Sequence, residues 1–368
     1  MKRLLTAAVF AVSAAALLAF ATTTHAESGV NLTNGDRLTA AQQVAAIAQL
    51  KASHAKIIRI PLETWPVGGP VTLSVNLAAN AQAAGIQVHL VVTLADTPQI
   101  YNSGAPYRPY NTAYPGVWSA YPLSQLNQAQ LYTWLSAALT QLKNAGVHPE
   151  AIEFGNEINW VPFNGDFTVP GYGVVYGLAD LVSGVNPEAA AVAEGYQRYA
   201  QALQTVQDAL YDTAFYNVPV VSAGLSNPGA AGTKTPSGLS AVAINDTLSY
   251  LRMYGLDSFV DAYGIHVYPI ASTPARRLEA IQSNELSQCG AYGKPCAITE
   301  WGFQLPTGST CPAPDASREA LAQEILGDFA MYGTLVNELL WYDWTDPKYG
   351  IWQCNGLTAT GALVLTQP

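Results

Sequence analysis

Residues 151–160, AIEFGNEINW, carry the clearest indication of the fold. The first four residues of this stretch are mostly apolar, which is typical of a buried β-strand. The strand then ends on Asn156 and Glu157, and a protein core does not accept two such polar groups without partners. A carboxylate at this position indicates either a solvated strand end or one half of a site that a second carboxylate completes.

Other short apolar runs resemble this one and alternate with stretches of helical periodicity, which predicts βα units and a parallel sheet. The eight predicted strands are GVNL (29–32), KIIRIPL (56–62), VHLVVTL (88–94), the opening stretch, VPVVSAGL (218–225), DAYGIHVYP (261–269), CAITEWGF (296–303) and ELLWYDW (338–344). Helices are predicted at 38–53, 76–85, 128–146, 193–210, 240–254, 275–287 and 316–333. Eight strands separated by helices predict an α/β fold, a single-domain (β/α)8 TIM barrel over residues 27–368.

The first 26 residues, MKRLLTAAVFAVSAAALLAFATTTHA, begin with Lys2 and Arg3 and continue as an apolar run that ends in small residues. This pattern predicts a secretory signal peptide at 1–26, with an uncleaved anchor as the alternative. No later segment offers the ~20 apolar residues of a membrane span. We therefore expect a secreted or periplasmic protein that has no membrane contact after cleavage.

The charge of the chain restricts its partners. The formal net charge is −10, and loss of Lys2 and Arg3 with the leader makes it more negative still. An acidic chain is a poor match for nucleic acid or for an anionic membrane surface. Charged residues make up only 11% of the sequence, so surface polarity comes mainly from Gln, Asn, Ser, Thr and Tyr.

The four cysteines, Cys289, Cys296, Cys311 and Cys354, all lie in the last quarter of the chain. An even number in an exported protein predicts disulfides. A metal site is the alternative, but the sequence has no C-x-x-C motif. The first two cysteines flank a turn before strand seven, and the last two follow strands seven and eight. We therefore expect each of these pairs to form one bond.

In a TIM barrel the active site lies where the strands end. Glu300, in AITEWG, follows an apolar strand and precedes a Trp, as Glu157 precedes one at a short distance. Carboxylates at the ends of strands four and seven face each other across the barrel mouth. Retaining glycoside hydrolysis needs two carboxyl groups about 5–5.5 Å apart, one as acid/base and one as nucleophile.

These motifs and the order of elements resemble glycoside hydrolase clan A over nearly the whole mature chain. The resemblance implies that Glu157 is the acid/base and Glu300 the nucleophile. It implies that Asn156 contacts the sugar 2-hydroxyl and that Arg59, on strand two, holds the nucleophile. Within the clan, GNEI is similar to the endo-β-1,4-galactanases, whereas ITEWG is closer to the xylosidase-like and exopolysaccharide-hydrolase families. The family is left open.

The same resemblance assigns further substrate-site residues. His266 and Tyr268 look like the clan's strand-six pair, in which the Tyr bonds the nucleophile, and Trp341 looks like the strand-eight tryptophan beneath the sugar ring. Trp160 and Trp301 are expected to be platforms for sugar rings. Core packing is the alternative for the tryptophans and for His266, and strand capping is the alternative for Tyr268.

The sequence therefore predicts a retaining β-glycoside hydrolase that acts on an oligo- or polysaccharide by double displacement. We expect a monomer whose partner is its carbohydrate substrate, with no cofactor and no metal. A non-catalytic carbohydrate-binding barrel and a transglycosylase on the same scaffold are the alternatives. Glu153, within strand four, is expected to face the surrounding helices and form an ion pair there.

Overall fold

The structure is a computed structural model and describes residues 26–235, 238–305, 311 and 314–366. The predicted signal peptide falls on residues 1–26, of which 1–25 lie outside the described residues. Its cleavage therefore stays a prediction. In the described part of the chain, no helix has the length and apolar character needed to cross a bilayer.

Eight parallel strands form the central sheet, in the spatial order β5-β4-β3-β2-β1-β8-β7-β6. They are β1 (Glu27–Asn31), β2 (Ile57–Leu62), β3 (Gln87–Val92), β4 (Ala151–Asn156), β5 (Val220–Gly224), β6 (Tyr263–Val267), β7 (Cys296–Trp301) and β8 (Val336–Trp341). Isolated parallel bridges from Val221 to Ala262 and from Leu225 to Ile265 join β5 to β6 and close the sheet. The predicted single (β/α)8 barrel is confirmed.

The helices in the described residues surround this barrel. They are α1 (Ala40–Ala52), α2 (Thr72–Ala83), α3 (Gln128–Asn144), α4 (Leu178–Ser183), α5 (Pro187–Asp212), α6 (Ile244–Arg252), α7 (Leu256–Phe259), α8 (Pro274–Ala280), α9 (Ala316–Ala330) and α10 (Ala359–Leu365). Helix α5 begins six residues earlier than predicted. Asn186 caps it by accepting hydrogen bonds from the amides of Glu188 and Ala189, and Pro187 occupies the first turn. Both residue types favour a helix start.

Two disulfides brace the last quarter of the chain, Cys289–Cys296 and Cys311–Cys354. This is the expected pairing. The second bond ties the segment after β7 to a short hairpin formed by Trp352–Gln353 and Gly356–Leu357 after β8. Both of these segments follow strand ends, so this disulfide fixes loops at the end of the barrel where the strands finish.

The outward face of the strands packs against the helices. Phe154 of β4 stacks on Tyr199 of α5, with 5.4 Å between ring centroids. The Tyr199 hydroxyl donates to the Phe154 carbonyl and accepts from the Ala223 amide. At the N-terminal ends of the strands, small apolar residues form a separate buried cluster of Ala151, Val221, Ala262 and Ala297. Closer to the C-terminal ends of the strands, the side chains that point into the barrel are polar.

Candidate active site

The C-terminal end of β4 is bent by two residues of positive φ. Gly155 has φ +94°, and a Cβ there would lie 3.1–3.3 Å from Leu94, Ile158 and Ala223, so glycine suits this position. Glu157 has φ +44° although it is not glycine. A non-glycine residue in this region of backbone space is uncommon and costs free energy, and such residues concentrate at functional sites. The bend lets the successive side chains Asn156 and Glu157 both reach groups of the barrel mouth.

Glu300, the fifth residue of β7, is buried and held from two sides. Its Oε1 accepts a hydrogen bond from Arg59 Nη1 at 2.9 Å. Its Oε2 accepts one from the Tyr268 hydroxyl at 2.7 Å. The structure therefore brings together Glu300 and the two residues expected to hold it.

Glu157 is buried beside a histidine that also touches Glu300. Its Oε1 lies 2.9 Å from His266 Nδ1, and the Ser226 hydroxyl donates to the same oxygen. His266 Nδ1 is 3.4 Å from Glu300 Oε2. One ligand atom from each of Glu157, His266 and Glu300 lies within 4.8 Å of the others. The two carboxyl groups therefore share one imidazole across the barrel mouth.

Opposing effects set the protonation of this group. Burial raises the pKa of Glu300 above its ordinary value, and the charge of Glu157 acts in the same direction. His266, Arg59 and the Tyr268 hydrogen bond oppose that rise in the pKa of Glu300. Burial lowers the pKa of His266, but the two carboxylates outweigh it, so the net pKa of His266 is raised. The protonated imidazole is therefore favoured between the glutamates.

His266 was expected to bind substrate, and the structure places its ring against Glu157 and Glu300. The side chain is fully buried, and its Nε2 has no hydrogen-bond partner among the described residues. Gly224 packs against that nitrogen, since a Cβ at position 224 would lie 2.1 Å from it. The ring is therefore enclosed on this side, and its described ion-pair contacts are with the two glutamates.

Arg59 connects the site to the barrel interior. Its Nη2 donates to Asn156 Oδ1 at 2.8 Å, and its Nη1 also reaches Asn31 Oδ1 at 2.8 Å. On the other side, Arg59 Nε and Nη2 bind the two oxygens of Glu153 at 2.6 and 3.1 Å. The expected helix-facing ion pair for Glu153 is therefore wrong. The contact with Arg59 shows that the Glu153 side chain points into the barrel interior.

The polar interior continues below Glu153. His89 Nε2 lies 3.4 Å from Glu153 Oε2, and His89 Nδ1 lies 2.8 Å from Glu338 Oε2. Each contact joins an imidazole nitrogen to a carboxylate oxygen, so both are ion pairs when the ring is protonated. Burial lowers the pKa of His89, but Glu338 and Glu153 raise it by more, and the net pKa is about 9. Glu153 has its pKa lowered to about 2, because Arg59 and His89 outweigh the effect of burial.

Two of the three tryptophans that were expected to contact sugar, Trp301 and Trp341, are buried in the hydrophobic core. Trp301 and Trp341 are 1% and 0% exposed, and their rings meet edge to face at 4.8 Å. Trp301 follows the inward-facing Glu300, so strand alternation turns it outward, onto Phe329 of α9 at 5.4 Å. Trp341 pairs with Trp301 across the sheet and donates from Nε1 to the Tyr349 carbonyl at 3.1 Å. Trp344 is also fully buried, whereas Trp160 is half-buried and remains available to a ligand.

Near the end of β8, where Trp341 was expected to lie beneath the sugar ring, the structure places tyrosines. Tyr342, the residue after Trp341, is half-buried, and burial followed by the charge of Glu300 raises its pKa. Its ring lies 6.3 Å from that of Tyr268 and 5.5 Å from that of Tyr349. Tyr342, one residue after the expected Trp341, was not predicted. Ser226 was not predicted either, although a polar residue directly after the fifth apolar run was a usable signal.

A metal ion, if one bound, would have one set of ligands here. Among the described residues, Glu157, His266 and Glu300 are the group whose ligand atoms come close enough. His266 Nδ1 already bonds Glu157 and lies 3.4 Å from Glu300, so an ion would have to displace the imidazole proton between the carboxylates. The donor set of two carboxylates and one imidazole is one that Zn²⁺ accepts.

Comparisons with known proteins support the fold. No protein-family model and no curated protein matches the chain. Among solved structures, a fungal β-1,4-galactanase is 14% identical with a TM-score of 0.56, covering 92% of this chain and 94% of that one. A family 1 β-glucosidase from Thermotoga maritima is 9% identical with a TM-score of 0.55, covering 92% and 96%. The β-glycosidase BGL167 is 12% identical with a TM-score of 0.54, covering 92% and 95%. At such low sequence identities, the structural likeness shows a shared fold.

Proposed function

We propose that this protein is a retaining β-glycoside hydrolase. The observation that carries the proposal is the pair of buried glutamates at the ends of β4 and β7, with ligand atoms that lie within 4.8 Å of each other and of His266. One carboxylate oxygen from each glutamate within 4.8 Å of the other is compatible with the carboxyl separation of about 5–5.5 Å that double displacement requires. Structural neighbours named as β-glucosidase and β-1,4-galactanase share the barrel.

In the first step Glu300 attacks the anomeric carbon as a carboxylate. Arg59 and Tyr268 each donate to one of its oxygens, which orients the carboxylate and favours its charged form. The bond to the leaving oxygen breaks as Glu157 gives that oxygen its proton. The glycosyl group is then bound to Glu300 as an ester, and the leaving sugar departs as an alcohol.

In the second step water replaces Glu300. Glu157, now a carboxylate, takes a proton from the water as the water oxygen bonds to the anomeric carbon. The Glu300 ester breaks and its carboxylate is restored. Two inversions give net retention, and each glutamate returns to its starting protonation state.

The hydrogen bonds around Glu157 and Asn156 suit these roles. Both donors to Glu157 among the described residues reach Oε1, which leaves Oε2 to exchange the proton with substrate. Asn156 Oδ1 accepts from Arg59, and this orients the amide so that its NH₂ group is left to donate. That donor suits the 2-hydroxyl of the sugar, whose hydrogen bonds strengthen in the transition state.

The substrate we propose is an oligo- or polysaccharide outside the cell. Long loops after β3 and β4, residues 93–127 and 157–186, lie at the active-site end of the barrel and suit the walls of an elongated cleft. Two disulfides suit a protein that folds in an oxidising compartment, which agrees with the predicted signal peptide. The sugar and the linkage are left to experiment.

The test is hydrolysis of a panel containing β-1,4-galactan, xylan, mixed-linkage β-glucan and aryl β-glycosides. The configuration of the first-formed product should be followed by proton NMR. We expect reducing ends to appear and the product to keep its β configuration. An inverted product would contradict double displacement. Binding without bond cleavage would favour the non-catalytic barrel, and transfer to sugar rather than to water would favour a transglycosylase.

A further inference from the structure

The loop after β3 exposes three large aromatic side chains. Tyr107, Tyr110 and Trp118 are 41%, 47% and 53% exposed, and we call these three residues the aromatic ledge. The rings of Tyr110 and Trp118 lie 6.2 Å apart. Tyr107 packs on Tyr121 at 4.7 Å. A cluster of exposed aromatic rings is a common mark of a binding surface.

The ledge is rigid. The backbones of Arg108 and Ala120 pair through two hydrogen bonds of 3.0 Å each, which join the two arms of the loop. The Arg108 guanidinium donates to the Trp118 carbonyl at 3.2 Å on its own loop. It also donates to carbonyls of the loop after β4, those of Val161, Pro162, Asn164 and Phe167. Rings held this way lose little freedom when a ligand binds.

The same anchoring places the ledge beside the catalytic centre. Val161 follows Glu157 by four residues, and a chain spans at most about 3.6 Å per residue, so Val161 lies within about 15 Å of the acid/base backbone. Because Arg108 contacts both the Val161 and the Trp118 carbonyls, the ledge is joined to the loop that begins at Glu157. It lies within reach of sugars a few units from the bond that is cut.

The three side chains of the aromatic ledge are uncharged. Arg108 is the one charged residue between Asp96 and Lys143 in the sequence, and backbone carbonyls surround its guanidinium. A partner with many charges, such as a uronate polymer or a nucleic acid, would lose hydration here without gaining an opposite charge. A neutral sugar ring instead presents C–H groups that pack on an aromatic face, and hydroxyl groups that stay in water.

We propose that the aromatic ledge is a distal binding site for a neutral polysaccharide. The inference rests on the proposed hydrolase function and extends it. The substrate is then an uncharged glycan longer than a disaccharide. Part of the glycan lies across Tyr110 and Trp118.

The first experiment compares two substrates in three proteins, the wild type, Trp118→Ala and Tyr216→Ala. Tyr216 is a matched control, because it is 66% exposed and precedes β5 at the opposite end of the barrel. We would measure kcat/KM on a one-sugar aryl β-glycoside and on whichever neutral polysaccharide of the panel is cleaved. The ratio of polymer to aryl activity should fall about tenfold in Trp118→Ala, mainly through KM, and stay unchanged in Tyr216→Ala.

An unchanged ratio in Trp118→Ala would overturn the ledge while leaving the hydrolase proposal intact. A wild type that cleaves nothing would instead contradict the hydrolase proposal. Affinity electrophoresis tests the ledge without catalysis. Glu300→Gln should be retarded by galactan, xylan or β-glucan gels, and adding Trp118→Ala should relieve the retardation.

Two further outcomes would also overturn the ledge proposal. Retardation by polygalacturonate that equals or exceeds retardation by the neutral polymers would contradict a neutral ligand. A wild-type dimer in analytical ultracentrifugation that Trp118→Ala dissociates would assign the rings to contact between two copies of the chain. We expect the same sedimentation for both proteins.

Discussion

Arg59 holds Glu153 in a two-point salt bridge inside the barrel, with Nε–Oε2 at 2.6 Å and Nη2–Oε1 at 3.1 Å. The same guanidinium holds Glu300 at 2.9 Å. The arginine that orients the proposed nucleophile is thus itself oriented by a carboxylate that no substrate can reach, since Glu153 is fully buried.

Glu153→Gln tests this dependence. The substitution keeps the shape but removes the charge and one of the two acceptors for Arg59. We expect kcat on an aryl β-glycoside to fall by up to about 10²-fold, because small displacements of positioning groups have effects of that size. Glu338→Gln is the control, since it removes a charge from the same network without contacting Arg59. Equal losses in both variants would contradict a specific role for the bridge between Glu153 and Arg59.

Tyr268→Phe should move the pH profile. The Tyr268 hydrogen bond lowers the pKa of Glu300, so its removal raises that pKa. The nucleophile must be ionised to attack, and the acidic limb of kcat/KM should therefore shift to higher pH. Tyr349→Phe is the control, because the Tyr349 hydroxyl accepts from Gln304 at 2.8 Å and does not bond Glu300. A shift of the limb to lower pH in Tyr268→Phe would contradict the role of this hydrogen bond.

The buried His89 predicts a pH dependence of stability. Its pKa is raised from 6.5 to about 9 in the folded protein. The stabilisation from its ion pairs is then fully present below pH 6.5 and is lost as the pH rises through about 9, on the order of 3 kcal/mol. Urea unfolding from pH 6 to 10 should show a larger loss in the wild type than in His89→Gln, which keeps the contribution of His266. His148→Gln, on the surface, should follow the wild type.

The two disulfides should differ in their effect on stability. The Cys311–Cys354 bond spans 43 residues and the Cys289–Cys296 bond spans 7. By the loop-entropy relation, losing the first costs about 4 kcal/mol and losing the second about 2.5 kcal/mol. Replacing each pair by serines and measuring the free energy of unfolding checks the order. A larger effect from the short loop would show that native packing, not loop closure, decides.

The barrel was predictable because its signal is local. Each strand is an apolar run and each helix has its own periodicity, so Ile152 or Leu139 reveals its environment through near neighbours in the chain. The pairing of Glu157 with Glu300 also followed, since the ends of parallel strands meet at one end of a barrel. The same rule placed Arg59 and Tyr268 near Glu300.

The features that were not predicted depend on which face of a strand a side chain occupies and on contacts between strands that are far apart in the sequence. Trp301 directly follows an inward-facing residue and must turn outward, which a count of tryptophans near strand ends does not reveal. The bridge from Arg59 to Glu153 joins β2 to β4 across the barrel interior, beyond any local pattern. The ionic contacts of His89 depend on the same interior.

Azide rescue of the two alanine variants on an activated aryl β-glycoside tests the proposed roles of Glu157 and Glu300. Glu157→Ala should still form the glycosyl-enzyme, because such a leaving group needs little protonation, and then stall without a base for water. Azide needs no base, so it should restore turnover and give the β-glycosyl azide. Glu300→Ala should give the α-azide, because azide then enters where the carboxylate stood. The opposite anomers would exchange the two roles, and full activity in both variants would contradict catalysis by this pair.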